Sequence, residues 1–151
     1  MSANHQRHKG FHPYKMDPKY RVSIPLGWRP EAGGNLFLLF SKEYEMPVVK
    51  VLSQDAYDEK VALIQGSTKT PAEKNRMLGK LAMLCREVTL NDQGKLLVPK
   101  ELSKNAEIEG GSEVVLVGRG IHFEIWNKAN FAKVLEIETA QNDEDDDLGI
   151  F

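Results

Sequence analysis

The sequence is poor in cysteine and has no long apolar run. Its 151 residues include a single cysteine, Cys85, which excludes an intramolecular disulfide framework and fits a reducing compartment. No apolar stretch approaches the roughly 20 residues that a membrane-spanning helix requires. The first ten residues, MSANHQRHKG, also lack the apolar segment of a secretion signal. These absences predict a cytoplasmic protein with no membrane partner.

Charge is unevenly distributed along the chain, with few acidic residues at its N-terminal end and a dense acidic cluster at its C-terminal end. The formal net charge is −2, but residues 136–151 contain seven acidic residues and no basic one, so the rest would carry +5. Residues 1–30 contain six lysines and arginines against one acidic residue, Asp17. Such a local excess of positive charge indicates a polyanionic partner, and an ordinary solvated surface with a basic tail is the alternative.

One short motif occurs twice. The stretch DPKYRVSIP, residues 17–25, returns 74 residues later as NDQGKLLVP, residues 91–99. Each copy predicts a polar turn and a short strand closed by proline, which cannot lie within a central strand. An apolar hairpin and a helix follow each copy, and Ser53 and Asn127 stand at the predicted N-caps. The repeated order of elements indicates an internal duplication.

The apolar patterns predict strands at 35–40, 48–52, 112–117 and 121–126, and helices at 53–64 and 127–136. In the last strand, apolar Ile121, Phe123 and Ile125 alternate with other residues, which predicts a core face and an opposite face that is polar apart from a tryptophan. That opposite face consists of His122, Glu124 and Trp126.

A third helix is predicted between the halves. Thr70, Pro71 and Glu73 supply an N-cap, a first-turn proline and a capping-box acid. An apolar stripe at helical spacing follows, in which Cys85 is interpreted as a small buried hydrophobe: Met77, Leu78, Leu81, Leu84, Cys85 and Val88.

The predicted fold is mainly β with helices, of the α+β class. Neither half can cover both edges of its strands, so we expect the halves to interleave into a pseudo-twofold β-barrel. The predicted organisation is a flexible basic arm at 1–10, a first half at 11–65 and a linker helix at 66–86. A second half at 87–136 and a disordered acidic tail at 137–151 complete it.

The chain resembles the MraZ family over roughly residues 11–136. The most specific shared features are the D-x-x-x-R signature, present as Asp17 to Arg21, and the VLVG and FEIW segments of the second hairpin. The resemblance implies two tandem AbrB-like swapped-hairpin units and a homo-oligomeric ring. It further implies a transcriptional regulator, expected to be a repressor, that binds double-stranded DNA. The target would be short direct repeats in the promoter of the division and cell-wall gene cluster, including the protein's own gene, which predicts nucleoid association.

The resemblance also implies which residues contact DNA. Arg21 takes the place of the family's DNA-contacting arginine, and its planar fork suits guanine or phosphate. Asp17 can hold the turn by accepting backbone N–H groups, while Lys19 and Lys15 add positive charge suited to phosphates. The second copy carries Asn91 and Lys95 in place of the acid and the arginine.

Two substitutions separate this chain from the family pattern. Lys95 can meet a phosphate but cannot grip a guanine through two hydrogen bonds, so base reading is expected in the first half. Tyr20 replaces the glycine that commonly precedes the signature arginine, whereas Gly94 keeps it in the second copy. If this position requires positive φ, Tyr20 is strained or the first turn has another shape.

Other functional classes find little support. The spacing of His5, His8 and His12 would suit a metal only on a helix, which Gly10 and Pro13 oppose, so no metal and no cofactor are predicted. No nucleophile–base set indicates an enzyme. The acidic tail could be merely solvated, could compete with DNA for the basic face, or could recruit a protein partner. A ring-forming scaffold or protein-binding regulator with weakened DNA specificity remains the alternative function.

Overall fold

Eight strands, four α-helices and one short 3-10 helix, Leu26–Trp28, lie in the part of the chain that the computed structural model describes, residues 7–31, 34–140 and 146–151. The strands are β1 Phe11–Lys15, β2 Arg21–Ser23, β3 Leu36–Glu43, β4 Met46–Ser53, β5 Cys85–Val88, β6 Lys95–Leu97, β7 Glu113–Gly118 and β8 Phe123–Asn127. The helices are α1 Gln54–Gln65, α2 Pro71–Leu84, α3 Lys100–Asn105 and α4 Lys128–Ala140. The predicted α+β class is confirmed.

The strands of the two halves pair with each other. The six-stranded sheet has the order β1-β7-β8-β4-β3-β5, and β2 pairs with β6 in a separate two-stranded ribbon. All pairs are antiparallel. Strand β1 of the first half lies on β7 of the second, and β5 of the second half lies on β3 of the first. The pairs β4–β8 and β2–β6 each join equivalent strands, so the pairing pattern is unchanged when the halves are interchanged.

The sheet is open, so the predicted closure into a barrel is wrong. Among the described strands, β1 and β5 each pair on one side only and form the two edges. Both edges suit that position, because β5 has only four residues and β1 contains Pro13, which has no N–H to offer a further strand. The core is covered instead by the β2–β6 ribbon, which packs across one face of the sheet.

One large core joins the ribbon to the sheet. Val22 and Leu96 of the ribbon belong to the same buried cluster as Leu38 and Leu116 of the sheet. All four side chains are at most 1% exposed. Because each half supplies one strand of the ribbon and part of the sheet, neither half can complete this core by itself.

The opposite face of β8 is polar apart from Trp126, as its sequence pattern predicts, but it is buried. Trp126 is 0% and Glu124 is 2% exposed, because α4 packs over this face with Phe131 and Val134. The alternating pattern of β8 cannot reveal a helix that covers the second face of the sheet.

Glu124 lies at the centre of a buried polar network. Its Oε1 accepts hydrogen bonds from Arg119 Nε at 3.0 Å and Trp126 Nε1 at 2.9 Å, and its Oε2 lies 3.5 Å from His122 Nε2. Burial alone would raise the pKa of Glu124, but His122, Trp126 and Arg119 outweigh this and lower that pKa to about 2. The Nη1 and Nη2 atoms of Arg119 also bind Glu138 at 2.9 and 2.8 Å, which ties the end of α4 to the β7–β8 hairpin.

The predicted helix caps are confirmed. The side chains of Ser53 and Asn127 each accept the backbone N–H three residues further on, at 3.1 and 2.7 Å. Thr70 and Glu73 form the complete capping box at the start of α2, with both reciprocal hydrogen bonds present.

The linker helix ends earlier than its apolar stripe suggested. Helix α2 stops at Leu84, and residues 85–88 form β5, in which Cys85 pairs with Leu39 and Val88 with Leu36. The prediction that Cys85 and Val88 lie on the helix is therefore wrong, because an open edge of β3 captures this segment. Cys85 is half-buried, and burial raises the pKa of its thiol.

Helix α2 contributes no buried residue to the fold although it is 14 residues long. Met77 is 37% and Met83 is 71% exposed, and a cleft of about 700 Å³ lies between α2 and β3. No helix in the described ranges is long and apolar enough to span a bilayer.

We predict that residues 85–140 alone do not fold as a monomer, because β7 loses β1, β8 loses β4 and β6 loses β2. Circular dichroism melting with sedimentation analysis, against the full chain, tests this. A monomeric fragment with a cooperative thermal transition would contradict it.

Glu124 should make stability depend on acidity. The pKa of Glu124 falls from 4.5 to about 2 on folding. The ionised carboxylate therefore contributes its full stabilisation of the folded state above pH 4.5, and this stabilisation declines as the pH falls towards 2. Protonation of Glu124 is expected to lower the free energy of unfolding by about 3 kcal/mol. The Glu124→Gln variant should have a free energy of unfolding lower than that of wild type by a similar amount at neutral pH. Near pH 2 the two proteins should have nearly the same stability.

Denaturant unfolding followed by tryptophan fluorescence between pH 2 and 7 measures this difference. Glu136→Gln, at an exposed position of α4, is the matched control and should track wild type throughout. A constant gap between wild type and Glu124→Gln across that range would contradict the assignment.

Candidate nucleic-acid interface

The first turn is organised by the carboxylate of Asp17. Its Oδ1 accepts the backbone N–H groups of Lys19 and Arg21, both at 2.9 Å. The backbone closes the same turn, since Asp17 N donates to Arg21 O at 2.9 Å and Tyr20 N donates to Asp17 O at 3.0 Å. Hydrogen bonds to the charged form, first from the Arg21 backbone, lower the pKa of Asp17. The carboxylate is therefore ionised at neutral pH and keeps the turn closed.

Asp17 also orients the side chain of Arg21. Arg21 Nε donates to Asp17 Oδ2 at 2.8 Å, and the Arg21 side chain is 39% exposed. A guanidinium that binds through Nε has its two terminal nitrogens available for another acceptor. The ion pair thus fixes the direction of Arg21 and leaves a planar donor edge facing outward.

The second turn has the same geometry as the first. Asn91 Oδ1 accepts the backbone N–H groups of Gln93 and Lys95, both at 2.9 Å. Asn91 N donates to Lys95 O, and Gly94 N donates to Asn91 O, again at 2.9 Å. The asparagine retains the oxygen that shapes the turn but has no second carboxylate oxygen to pair with Lys95, so the charge of this lysine is free of a partner within its turn.

The fourth residue of each turn has positive φ, +64° at Tyr20 and +75° at Gly94. The first turn therefore keeps the shape of the second, and the alternative of a different shape is wrong. Tyr20 is held in this unfavourable region by tertiary contacts: its carbonyl accepts Val98 N–H at 2.9 Å, and its ring packs against the core and over Gly110. A side chain at Gly110 would lie 3.2 Å from that ring.

Gly94 is favoured in the second turn by a close contact as well as by its positive φ. The guanidinium of Arg29 lies directly over it, where a Cβ at position 94 would overlap the group. Arg29 is held there by a 2.9 Å hydrogen bond from its Nε to the carbonyl of Ile24. The two copies thus share backbone geometry but pack against different neighbours.

The β2–β6 ribbon brings the two turns to one surface. Its register places Arg21 opposite Leu97 and Ser23 opposite Lys95. Side chains at alternate strand positions share a face, so these four residues form the outer face of the ribbon. The intervening residues are buried in the core: Val22 and Leu96. Arg21 and Lys95 therefore occupy diagonal corners of one outward surface.

The remaining predicted basic residues lie beside the first turn. Lys19 is exposed at the tip of the turn. Lys15 is exposed at the end of β1, where it pairs in register with Glu113. The carboxylate of Glu113 forms its ion pair with Lys128, at 3.0 Å.

The described part of the predicted N-terminal arm contacts the folded chain. His8 is 7% exposed, stacks edge-on against Trp28, and has Nδ1 2.9 Å from the carbonyl of Gly120. Burial lowers the pKa of His8. Arg7 donates to the backbone carbonyls of Gly27 and Arg29. Residues 1–6, including His5, lie outside the described residues, and within those described no three metal-binding side chains cluster.

The acidic tail is described only in part. The acidic residues at 143–145 lie outside the described residues. The final apolar side chains are all exposed: Leu148, Ile150 and Phe151.

The sequence motif did not identify Ser23 and Leu97 as members of this surface. The signal was present, since each residue follows the basic residue of its copy by two positions in a strand. What was missing was the pairing of β2 with β6, which turns two separate strands into one face.

Fold and turns together define an α+β protein in which strands of the two halves pair with each other, and in which two matching turns each end in one basic residue of a short ribbon. The family model described as "MraZ protein, putative antitoxin-like" matches residues 81–148. This chain is 30% identical to the transcriptional regulator MraZ of Mycoplasmopsis pulmonis, over 77% of this chain and 76% of that relative.

Two further relatives extend the match. The transcriptional regulator MraZ of Pediococcus pentosaceus is 28% identical over 87% of this chain and 88% of its own length. The transcriptional regulator MraZ of Acidobacterium capsulatum is 25% identical over 95% of this chain and 97% of its own length. The chain belongs to the MraZ family.

We predict that Gly94→Ala lowers the free energy of unfolding by about 1–2 kcal/mol. The alanine would have to adopt the positive φ of this position, and its methyl group would displace the guanidinium of Arg29. Gly79→Ala is the matched control, since it adds a methyl group to open space on α2 and should raise stability by about 0.5–1 kcal/mol. Denaturant unfolding measures both. Equal stability of Gly94→Ala and wild type would show that Arg29 does not constrain the turn.

Proposed function

We propose that this protein is a sequence-specific, DNA-binding transcriptional regulator that reads DNA with the outer face of the β2–β6 ribbon and its two turns. The observation that carries the proposal is the match between the turns. The same four hydrogen bonds shape both, and each presents a basic residue on one exposed face.

Arg21 is suited to read a base. Asp17 holds its Nε, so little side-chain freedom remains to be lost when the outward donor edge meets an acceptor pair. Guanine offers such a pair, O6 and N7, in the major groove, which admits a two-stranded ribbon. The proposal therefore assigns base recognition to the first turn.

Lys95 is suited to a phosphate. Its turn has the geometry of the first but lacks the carboxylate that orients Arg21. A flexible ammonium group is a point charge that binds phosphate without directional demand. Lys19 and Lys15 extend the positive charge beside the first turn, and such contacts position a protein on the duplex.

Assembly of several copies would strengthen binding. In the proposed organisation, residues 11–65 and 87–136 are two AbrB-like swapped-hairpin units, and copies join in a ring through the α1–α2 hairpin. Support comes from α2, which buries no residue of its own, and from exposed Leu63, Met77 and Met83 on the same hairpin. A helix of this length is ordinarily stabilised by packing, which a neighbouring copy would supply.

A ring suits tandem sites on DNA. When one copy binds, its neighbours are held near the next repeat at high effective concentration, so weak single contacts add up to tight binding. The proposed target is a set of short direct repeats in the promoter of the division and cell-wall gene cluster, the protein's own gene included. A ring seated there would block transcription, which favours repression by a protein bound to the nucleoid.

The second candidate function is a ring-forming scaffold that does not read sequence. The observation that favours it is Lys95, because the second turn lacks the bidentate donor of the first. The two functions differ in whether binding depends on the DNA sequence.

The testing experiment measures anisotropy of a fluorescent duplex carrying the repeats upstream of the protein's own gene, against a scrambled duplex, over a salt series. Wild type should prefer the repeats. Arg21→Lys keeps the charge but loses the fork, so we expect the preference to fall at least tenfold, with scrambled-DNA affinity retained. Arg21→Ala should lose the preference and also reduce the salt dependence.

Lys133→Ala is the charge-matched control. Lys133 is exposed on α4, which covers the face of the sheet opposite the ribbon, so its removal should leave the preference unchanged. If wild type binds both duplexes equally, base reading is refuted and the scaffold function is favoured.

A further inference from the structure

An exposed leucine occupies one corner of the charged ribbon face, beside Arg21. Leu97 is 55% exposed and belongs to none of the buried clusters. Its neighbours on either side along the strand, Leu96 and Val98, are both 0% exposed. The strand thus anchors itself through its inner residues, and folding does not require an apolar side chain at position 97.

The leucine breaks the symmetry of the repeat. Arg21 and Lys95 are equivalent positions of the two copies, and the residue equivalent to Leu97 is Ser23. The ribbon face therefore has two related basic corners and two unrelated ones, a hydroxyl and an isobutyl group. The chemical difference gives the otherwise twofold-like face a direction.

The register places the leucine beside the base-reading arginine. Leu97 is directly opposite Arg21, which sets their Cβ atoms about 5 Å apart. That spacing compares with the rise of about 3.4 Å between base pairs, so the two side chains reach adjacent or next-adjacent pairs in one groove. An arginine, a lysine and a leucine on a single ribbon face would then meet the DNA together.

The major groove offers one apolar group for such a side chain. Thymine presents its C5-methyl there, whereas adenine and guanine present hydrogen-bonding groups and cytosine presents an amino group beside a small C5–H. An isobutyl group placed against those polar edges would leave them unpaired, whereas against the methyl it removes apolar surface from water. Complementary charge keeps the ribbon in the groove, because Arg21 and Lys95 flank the leucine.

We propose that Leu97 is a specificity-determining residue that contacts the C5-methyl group of a thymine next to, or one removed from, the base pair read by Arg21. This inference rests on the proposed function, since it names a further part of the sequence that the same ribbon reads. It assigns the second half of the chain a share of base recognition that Lys95 cannot supply.

The test removes the methyl group from the DNA instead of altering the protein. Each thymine of the repeat duplex is replaced singly by deoxyuridine, and affinity of the full-length wild-type protein is measured for each. At one position per repeat, near a guanine, we expect about a fourfold loss, the effect of one methyl group withdrawn from an apolar contact. The other substitutions should have little effect.

The protein variant completes a double-mutant cycle. Leu97→Ser installs the residue of the first copy and should bind thymine and deoxyuridine duplexes equally at that position, with the preference conferred by Arg21 retained. Leu26→Ser is the matched control, because Leu26 is 79% exposed and lies outside the ribbon. This variant should discriminate between the thymine and deoxyuridine duplexes as wild type does. Sedimentation and thermal melting compare the assembly and folding of both variants with wild type.

The outcomes separate the inference from the proposed function. If no deoxyuridine substitution weakens wild-type binding while Arg21→Ala still abolishes the preference for repeats, Leu97 does not read thymine and the DNA-binding function stands. If Leu97→Ser retains the wild-type discrimination, or changes assembly instead of discrimination, the inference is also overturned. If wild type shows no sequence preference at all, both fall together.

Discussion

Strands β2 and β6 are three residues long, and neither could persist without the other. Their pairing buries Val22 and Leu96 against the sheet, and the surrounding fold depends on it, because the ribbon takes the place of barrel closure as the cover of the main core. The same register decides which side chains face outward together. A shift of the β2–β6 register by one residue would bury Arg21 and Lys95 and expose the apolar pair, Val22 and Leu96. The register that packs the core therefore also determines which residues form the candidate DNA-binding face.

The two turns share one backbone geometry but differ in their side chains and surroundings. The oxygen of Asp17 or Asn91 is sufficient to close either turn, whereas only a carboxylate can also hold an arginine. Positive φ is met by glycine in one copy and by a tightly packed tyrosine in the other. Each solution depends on a neighbour from elsewhere in the chain, Arg29 over the second turn and Gly110 under the tyrosine ring of the first. The copies can differ chemically while the backbone remains the same.

The opposite face of the sheet carries a separate electrostatic centre. Arg119 joins the buried Glu124 to Glu138 near the end of α4, and Tyr44 of the β3–β4 hairpin also donates to Glu138 at 3.1 Å. This network positions the point from which the acidic tail departs, on the side of the sheet away from the ribbon. A tail that competes with DNA would therefore have to pass around the edge of the sheet, whereas one that recruits a protein would not.

Local chemistry carried most of the prediction. Local sequence was sufficient to predict the polar turns, the prolines that end their strands and the helix caps at Ser53, Thr70 and Asn127. Each cap and turn depends on hydrogen bonds between residues a few positions apart. Tertiary structure alone decided that the sheet stays open and that α4 buries Glu124 and Trp126. It also decided that Cys85 lies in strand β5, paired with β3, and not in helix α2. It also decided that Leu97 stands beside Arg21. These outcomes depend on pairing between residues far apart in the chain, for which periodicity within a segment contains no information.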